Sequence, residues 1–185
     1  MLGNQVDESG SMETYKTILT KLDIRGFSSK KISGELILKI LEAARSTGTA
    51  FNAQNSRFIL VQETSRLMQL AKDSTRGQWV EDASLAIIVL TDPGEPDHVL
   101  DGGRAVQNMQ LAAWSFGVGS GLFTILNEDA MRRDFKIPKK MHIVAVVVFG
   151  YPERKISGER KNRKPLSERV HLDEYGRGFD SKSLS

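Results

Sequence analysis

Hydrophobic and polar positions along this chain follow two periods, and the places where the period changes outline its elements. Met12, Tyr15, Ile18, Leu19 and Leu22 recur at helical spacing and predict a first helix ending near Leu22. Ser33 is a fitting N-cap for a second helix, whose Leu36, Ile37, Ile40, Leu41 and Ala44 share one face and which should end between Arg45 and Gly48. The run 57–62 is short and β-rich, and 64–72 is helical, with Leu67, Leu70 and Ala71 apolar. Ser84 to Thr91 is a nearly continuous apolar strand closed by Asp92-Pro93-Gly94. A longer helix from about Asp97 to Phe116 puts Ala105, Met109, Ala112, Ala113 and Phe116 on one stripe, with Gly117 where a C′ glycine belongs. Ser120 to Ile125 reads as a strand. Asn127 caps a short helix through Phe135, and Pro138 stops it. Met141 to Gly150 is the most apolar strand, with a pattern that buries both faces. The order α-α-β-α-β-α-β-α-β predicts a layered α/β or α+β domain. No G-x-G-x-x-G or G-x-x-x-x-G-K-[ST] follows a strand, so neither a Rossmann nor a P-loop reading is warranted.

The pattern stops at Tyr151-Pro152. Between Glu153 and Lys164 there are six Lys/Arg, two Glu and almost no apolar residue. Such a tail cannot fold alone and must drape over something or stay mobile. Met1 to Ser11 is polar and lacks the basic and apolar regions of a secretory signal, so it reads as a disordered head. Three stretches are therefore expected: a head over 1–11, a domain over 12–152 and an extension over 153–185.

Composition narrows the chemistry. A chain of 185 residues suits one domain, and the absence of Cys removes disulfides, thiolate metal centres and a Cys nucleophile. His98, His142 and His171 are far apart in sequence and show no metal-ligand spacing. A net charge of +3 is too small for wholesale nucleic-acid binding. No segment approaches the ~18–20 apolar residues of a membrane span, so the cytoplasm is the expected location. No Ser-His-Asp arrangement or nucleophile elbow is legible. An enzyme of this kind would take its chemistry from a cofactor.

Three clusters could hold one. Lys21-Leu22-Asp23-Ile24-Arg25-Gly26-Phe27 spaces two cations so that they can grip a phosphate, although taken alone the feature is better explained as a solvated helix end. The run from Ser46 to Asn55 is rich in small and amide residues and longer than most connections, which suits the polar edge of a planar heterocycle. Arg160-Lys161-Asn162-Arg163-Lys164-Pro165-Leu166 is a basic stretch without the interleaved aromatics that stack on single-stranded nucleic acid.

In this order and at these separations, the clusters resemble the flavin-dependent nitroreductase family. Its opening R-R-S-x-R-x-F is matched by Lys21 to Phe27, and its A-A-R-x-x-P-S-x-x-N-x-Q-P-W-x-F by Ala43 to Phe58. A D-x-G-x-A-x-Q-N-x-x-L-A-A-x-x-x-G-x-G-S pattern is similar to Asp101 through Ser120. The closing G-Y-P and K-x-R-K-P-L are matched by Gly150-Tyr151-Pro152 and Lys161 to Leu166. Lys21-Leu22 stands for the paired arginines, Asp23 for Ser, Gly48-Thr49 for Pro-Ser and Asn55-Ser56 for Pro-Trp.

The resemblance implies an α+β fold: a nitroreductase-like three-layer sandwich with a central mixed sheet flanked by helices, and a C-terminal tail exchanged in a homodimer. It implies FMN at the subunit interface, with NADH or NADPH as electron donor. Carried over by motif, Lys21, Lys161 and Arg163 would bind the FMN phosphate, and Asp23 would lie beside the ribityl chain or phosphate. Arg25 would lie near the N1/O2 edge of the flavin. Thr49, Ala50 and Asn52 would come from the partner subunit, Gln78 would offer an amide, and Thr124 and Ile125 would approach N5. The implied activity is ping-pong electron transfer from NAD(P)H to a nitroaromatic, quinone or similar small-molecule acceptor. Reductive dehalogenase-like or other flavin chemistry on this scaffold, or flavin binding without turnover, stay open as alternatives.

Overall fold

A computed structural model describes residues 13–154, 161–180, 182 and 184. The expected head over 1–11 lies outside the described residues, as do Met12 and residues 155–160 of the basic extension.

Helix α1 (Thr14–Thr20) is capped by Glu13, whose carboxylate accepts the N–H groups of Tyr15 and Lys16. Helix α2 (Gly34–Arg45) starts at Ser33, whose hydroxyl accepts the Leu36 N–H, and it buries Ile37, Ile40 and Ala44. Strand β1 (Arg57–Val61) and helix α3 (Thr64–Asp73) follow, then β2 (Leu85–Thr91) and helix α4 (His98–Ser115). Gly117 ends α4 at φ +74°, the left-handed conformation in which a side chain would be strained. Strand β3 (Gly119–Phe123), helix α5 (Glu128–Asp134) and strand β4 (His142–Gly150) complete the order, which is the one the hydrophobic pattern predicts. Asn127 caps α5 through its side chain, as expected.

The sheet order is β1-β2-β4-β3. All three strand pairs are antiparallel, so the sheet departs from the expected mixed arrangement. Its one parallel feature is an isolated bridge between Asp23 and Ser120.

Alternation along the two central strands divides the core. Ala86, Ile88, Leu90, Ile143, Val146 and Val148 face α3 and α5, packing with Leu67, Leu70 and Met131. Leu85, Ile87, Val89, Ala145, Val147 and Phe149 face the other way, packing with Ile37, Ile40, Ala105 and Met109 of α2 and α4. The sheet is thus the middle of three layers, which is why β2 reads as continuously apolar. Helix α4 approaches closely because Gly102 faces the sheet. A Cβ there would sit 2.7 Å from a Val144 methyl.

Strand β3 stops at Phe123 rather than Ile125, because Phe123 is its last residue paired with β4. The chain then turns toward α3, where Thr75 N–H donates to the Ile125 carbonyl and Ser74 bridges Leu126. Two histidines distant in sequence meet: the His98 and His142 rings are 5.4 Å apart, edge to face, and His98 Nδ1 lies 2.9 Å from the Thr91 hydroxyl. Among the described residues no cluster could hold a metal ion, and no helix is long and apolar enough to cross a membrane.

Candidate functional site

The segment after α1 runs beside β3. Asp23 bridges Ser120, Ile24 N–H donates to the Ser120 carbonyl at 2.8 Å, and Phe27 bridges Pro152. These bonds hold Lys21, Asp23 and Arg25 at one edge of the sheet. Lys21 is buried and its ammonium donates to Asp23 Oδ1 at 2.5 Å.

The basic extension returns to the same corner. Lys161 Nζ donates to the Ile18 carbonyl at 2.9 Å, in the last turn of α1, where a cation complements unpaired carbonyls. Burial holds the Lys161 ammonium below its usual pKa, the Arg163 and Lys21 charges push the same way, and Asp23 opposes them. Lys161 therefore feels two further cations and one carboxylate, and that carboxylate is already engaged by Lys21. The corner carries more positive charge than its own residues neutralise. A multiply charged oxyanion would compensate it.

Further along β3, Arg25 lies beside Trp79, the neighbour of Gln78, and Ile125 lies beside Thr75, whereas no side-chain hydrogen bond among the described residues ties Thr124 to them. The Arg25 guanidinium carbon lies 5.9 Å from the ring centre of Trp79, in the single turn Gln78–Asp82. Gln78 Nε2 donates to the Ser74 carbonyl at 3.2 Å, and Thr75 N–H donates to the Ile125 carbonyl at 3.2 Å. Trp79 was missed by sequence reasoning. It contacts Phe27 and Phe123, which come from other elements, so no local spacing announces it.

Thr49, Ala50 and Asn52 lie elsewhere, over the start of α4. Asp101 is buried there and accepts the Ala50 N–H at 3.1 Å and the Asn55 amide at 3.4 Å. Its other oxygen has no hydrogen bond but lies 3.6 Å from the Arg104 guanidinium. Among the described residues no contact joins this loop to Lys21 or Arg25. Phe51, Asn52 and Gln54 hold φ values of 49°, 55° and 49°, which costs non-glycine residues about 1 kcal/mol or more each. The Phe51 ring is 92% exposed. Asp101 and Asn55 entered the sequence reading only as motif letters.

A second charged cluster joins α3 to α5. The Gln69 amide donates to Asp73 Oδ1 at 3.0 Å and to Asp134 Oδ2 at 2.8 Å. Arg66 donates to the Asp134 carbonyl, and Arg133 pairs with the Asp134 carboxylate. Burial raises the Asp73 pKa, and the Asp134 charge adds to that against the Gln69 hydrogen bond. The Arg133 hydrogen bond lowers that of Asp134.

Two open grooves of about 520 and 440 Å³ flank the start of β1, and Arg57 lines both. Thr49 lines the larger; Lys21, Asp23, Arg25, Gln78, Thr124, Ile125, Lys161 and Arg163 line neither.

The family model described as "Nitroreductase family" matches residues 18–93 and 75–151. A protein of Archaeoglobus fulgidus provisionally named an NADH dehydrogenase/NAD(P)H nitroreductase is 31% identical over 172 residues, spanning 88% of this chain and 99% of its own. Among solved structures, a nitroreductase family protein from Clostridium difficile 630 matches with a TM-score of 0.79 at 27% identity, covering 88% of this chain and 99% of its own. An FMN-dependent nitroreductase from Clostridium difficile R20291 matches with a TM-score of 0.80 at 22% identity, covering 87% and 99%.

Proposed function

The chain belongs to the nitroreductase family, and from that premise we propose that it is an FMN-dependent oxidoreductase passing electrons from NADH or NADPH to a nitroaromatic, quinone or similar small acceptor. The observation that carries this reading is the corner where the Lys161 ammonium returns to α1 and meets the positive charges of Lys21 and Arg163 against the one carboxylate of Asp23. It fits a terminal phosphate, because a dianion there would offset the burial and the like-charge repulsion that together depress Lys161. The names of the relatives support the same cofactor and donor.

When bound, FMN supplies the redox chemistry, taking hydride from the nicotinamide and later yielding electrons to the acceptor. The protein's part is binding and electrostatics. Lys21, Lys161 and Arg163 hold the phosphate, and the Lys21–Asp23 pair keeps the Asp23 carboxylate from facing it uncompensated. Arg25 places a positive charge at the pyrimidine edge of the ring, where negative charge accumulates on reduction. Gln78 offers an amide, and Thr124 and Ile125 offer a hydroxyl and backbone groups. No side chain here need act as general acid or base.

The functional unit is proposed to be a homodimer. In it, Thr49, Ala50 and Asn52 reach the partner's FMN, and the extension, whose Lys161 returns to its own α1, goes on to pack across the interface. The exposed Phe51 and Tyr175 rings support this, since both would gain cover. Donor and acceptor use one site in turn, giving ping-pong kinetics.

The test is reconstitution. The purified protein with added FMN is expected to retain a flavin absorbance band near ~450 nm after gel filtration, and to lose it on anaerobic addition of NADH or NADPH. Absence of retained flavin would overturn the proposal.

A further inference from the structure

The ring of Trp79 is held from several sides. Its indole N–H donates to the Arg76 carbonyl at 3.1 Å. Phe27 lies at 6.2 Å between ring centres, tilted, and Phe123 at 5.9 Å, edge on. Below it sits Gly121. A Cβ there would lie 2.9 Å from the tip of the indole and 2.6 Å from the Ile24 carbonyl oxygen. Gly121 therefore seats two things at once, the indole ring and the backbone immediately before Arg25. Ile24 N–H is fixed in turn by the Ser120 carbonyl. Arg25 leaves this anchored backbone and places its guanidinium over the indole ring.

That arrangement gives a fixed ring a task. Arginine is long and its free side chain is rotationally disordered, so an exposed guanidinium with no fixed partner averages over many positions. A cation–π contact with a fixed indole narrows that range before any ligand arrives, and tryptophan is the strongest aromatic partner for a cation. We propose that Trp79 is the positioning residue for Arg25, holding the guanidinium where its charge stabilises the reduced flavin more than the oxidised one. The inference rests on the FMN reading above. It predicts that Trp79 controls redox poise without itself touching a reacting atom.

The experiment compares native protein with Trp79→Leu, Trp79→Phe, Arg25→Gln and the Trp79→Leu/Arg25→Gln double variant, all reconstituted with FMN. The readouts are the FMN dissociation constant and the midpoint potential, measured by equilibration with reference dyes. Trp79→Leu is expected to weaken binding of reduced relative to oxidised FMN about threefold. For a two-electron couple that is a shift of about 14 mV to more negative potential. Trp79→Phe should restore more than half of it. Arg25→Gln should shift the potential in the native background but much less once Trp79 is leucine. If the leucine variant does not fold, Trp79→Phe carries the test, with a smaller shift in the same direction.

Equal shifts from Arg25→Gln in both backgrounds, or an unchanged potential in Trp79→Leu with FMN bound, would overturn the positioning role and leave the FMN reading intact. A native protein that binds no FMN would remove both.

Discussion

Two charged clusters in this protein suffer the same electrostatic problem and solve it differently. At the corner beside α1, Lys161 is half-buried near Arg163 and Lys21, and its charged form is disfavoured. Between α3 and α5, Asp73 is buried near Asp134, and its charged form is disfavoured too. In the acidic cluster the Gln69 amide, Arg66 and Arg133 supply donors and opposite charge from within, although Asp73 Oδ2 is buried without a hydrogen bond. The basic corner has one carboxylate among three cations. Charge that a fold has already answered reads as structure. Charge left over at a surface reads as a place for something else.

Four substitutions would break or sharpen that contrast. The largest effect is expected from Gln69→Leu, which strips the shared donor from two facing carboxyl groups. It should cost about 3 kcal/mol of unfolding free energy in denaturant titrations while leaving the FMN affinity of the folded protein unchanged. Next comes Lys161→Ala, which removes a charge-assisted phosphate contact. A loss of about 2 kcal/mol, roughly 30-fold in FMN dissociation constant by fluorescence titration, is expected, with a smaller loss of stability from the broken Ile18 hydrogen bond. If stability falls by as much while FMN affinity is unchanged, the basic corner is structural and the contrast fails.

Asp73→Asn is smaller and depends on pH. The folded pKa of Asp73 is raised above its unfolded value, so the native state binds the proton more tightly and stability falls as pH rises from the unfolded pKa through the folded one. The asparagine variant escapes that loss. It should be more stable than native at neutral pH, with the gain disappearing below the ordinary aspartate pKa of about 3.9. A gain that persists in acid would place the effect outside Asp73 ionisation. Smallest is Asp23→Asn, which removes the one carboxylate from the basic corner. FMN should bind about twofold tighter, about 0.4 kcal/mol, and the difference should shrink in high salt.

The layers were legible in the sequence because they are local. The runs around Leu36–Ala44, Ser84–Thr91 and Met141–Gly150 carry their period within one element, and the structure keeps each to within a few residues. The meetings between elements were not legible. His98 with His142, Gln69 with Asp134 and Arg25 with Trp79 are brought together by sheet order and helix packing, which no spacing records. The basic corner stands between these cases. Lys21 and Lys161 could be linked before the fold was known only because the motif order implied it. The loop of Thr49, Ala50 and Asn52 has no such link within one chain.

Strand β4 is the last of the strands to be made and sits between two others. During synthesis, β1 and β2 can pair as soon as both have left the ribosome, but β3 has no neighbour until residues 142–150 emerge. At the ~5–20 residues per second of translation, α4 and β3 wait while their shared central strand is still being assembled. A chain stalled before Gly150 would hold a two-strand ribbon and a stranded β3, with both apolar faces exposed to aggregation. Chaperone capture of such stalled chains, rising with length and collapsing once β4 is complete, is the biosynthetic signature of this sheet order.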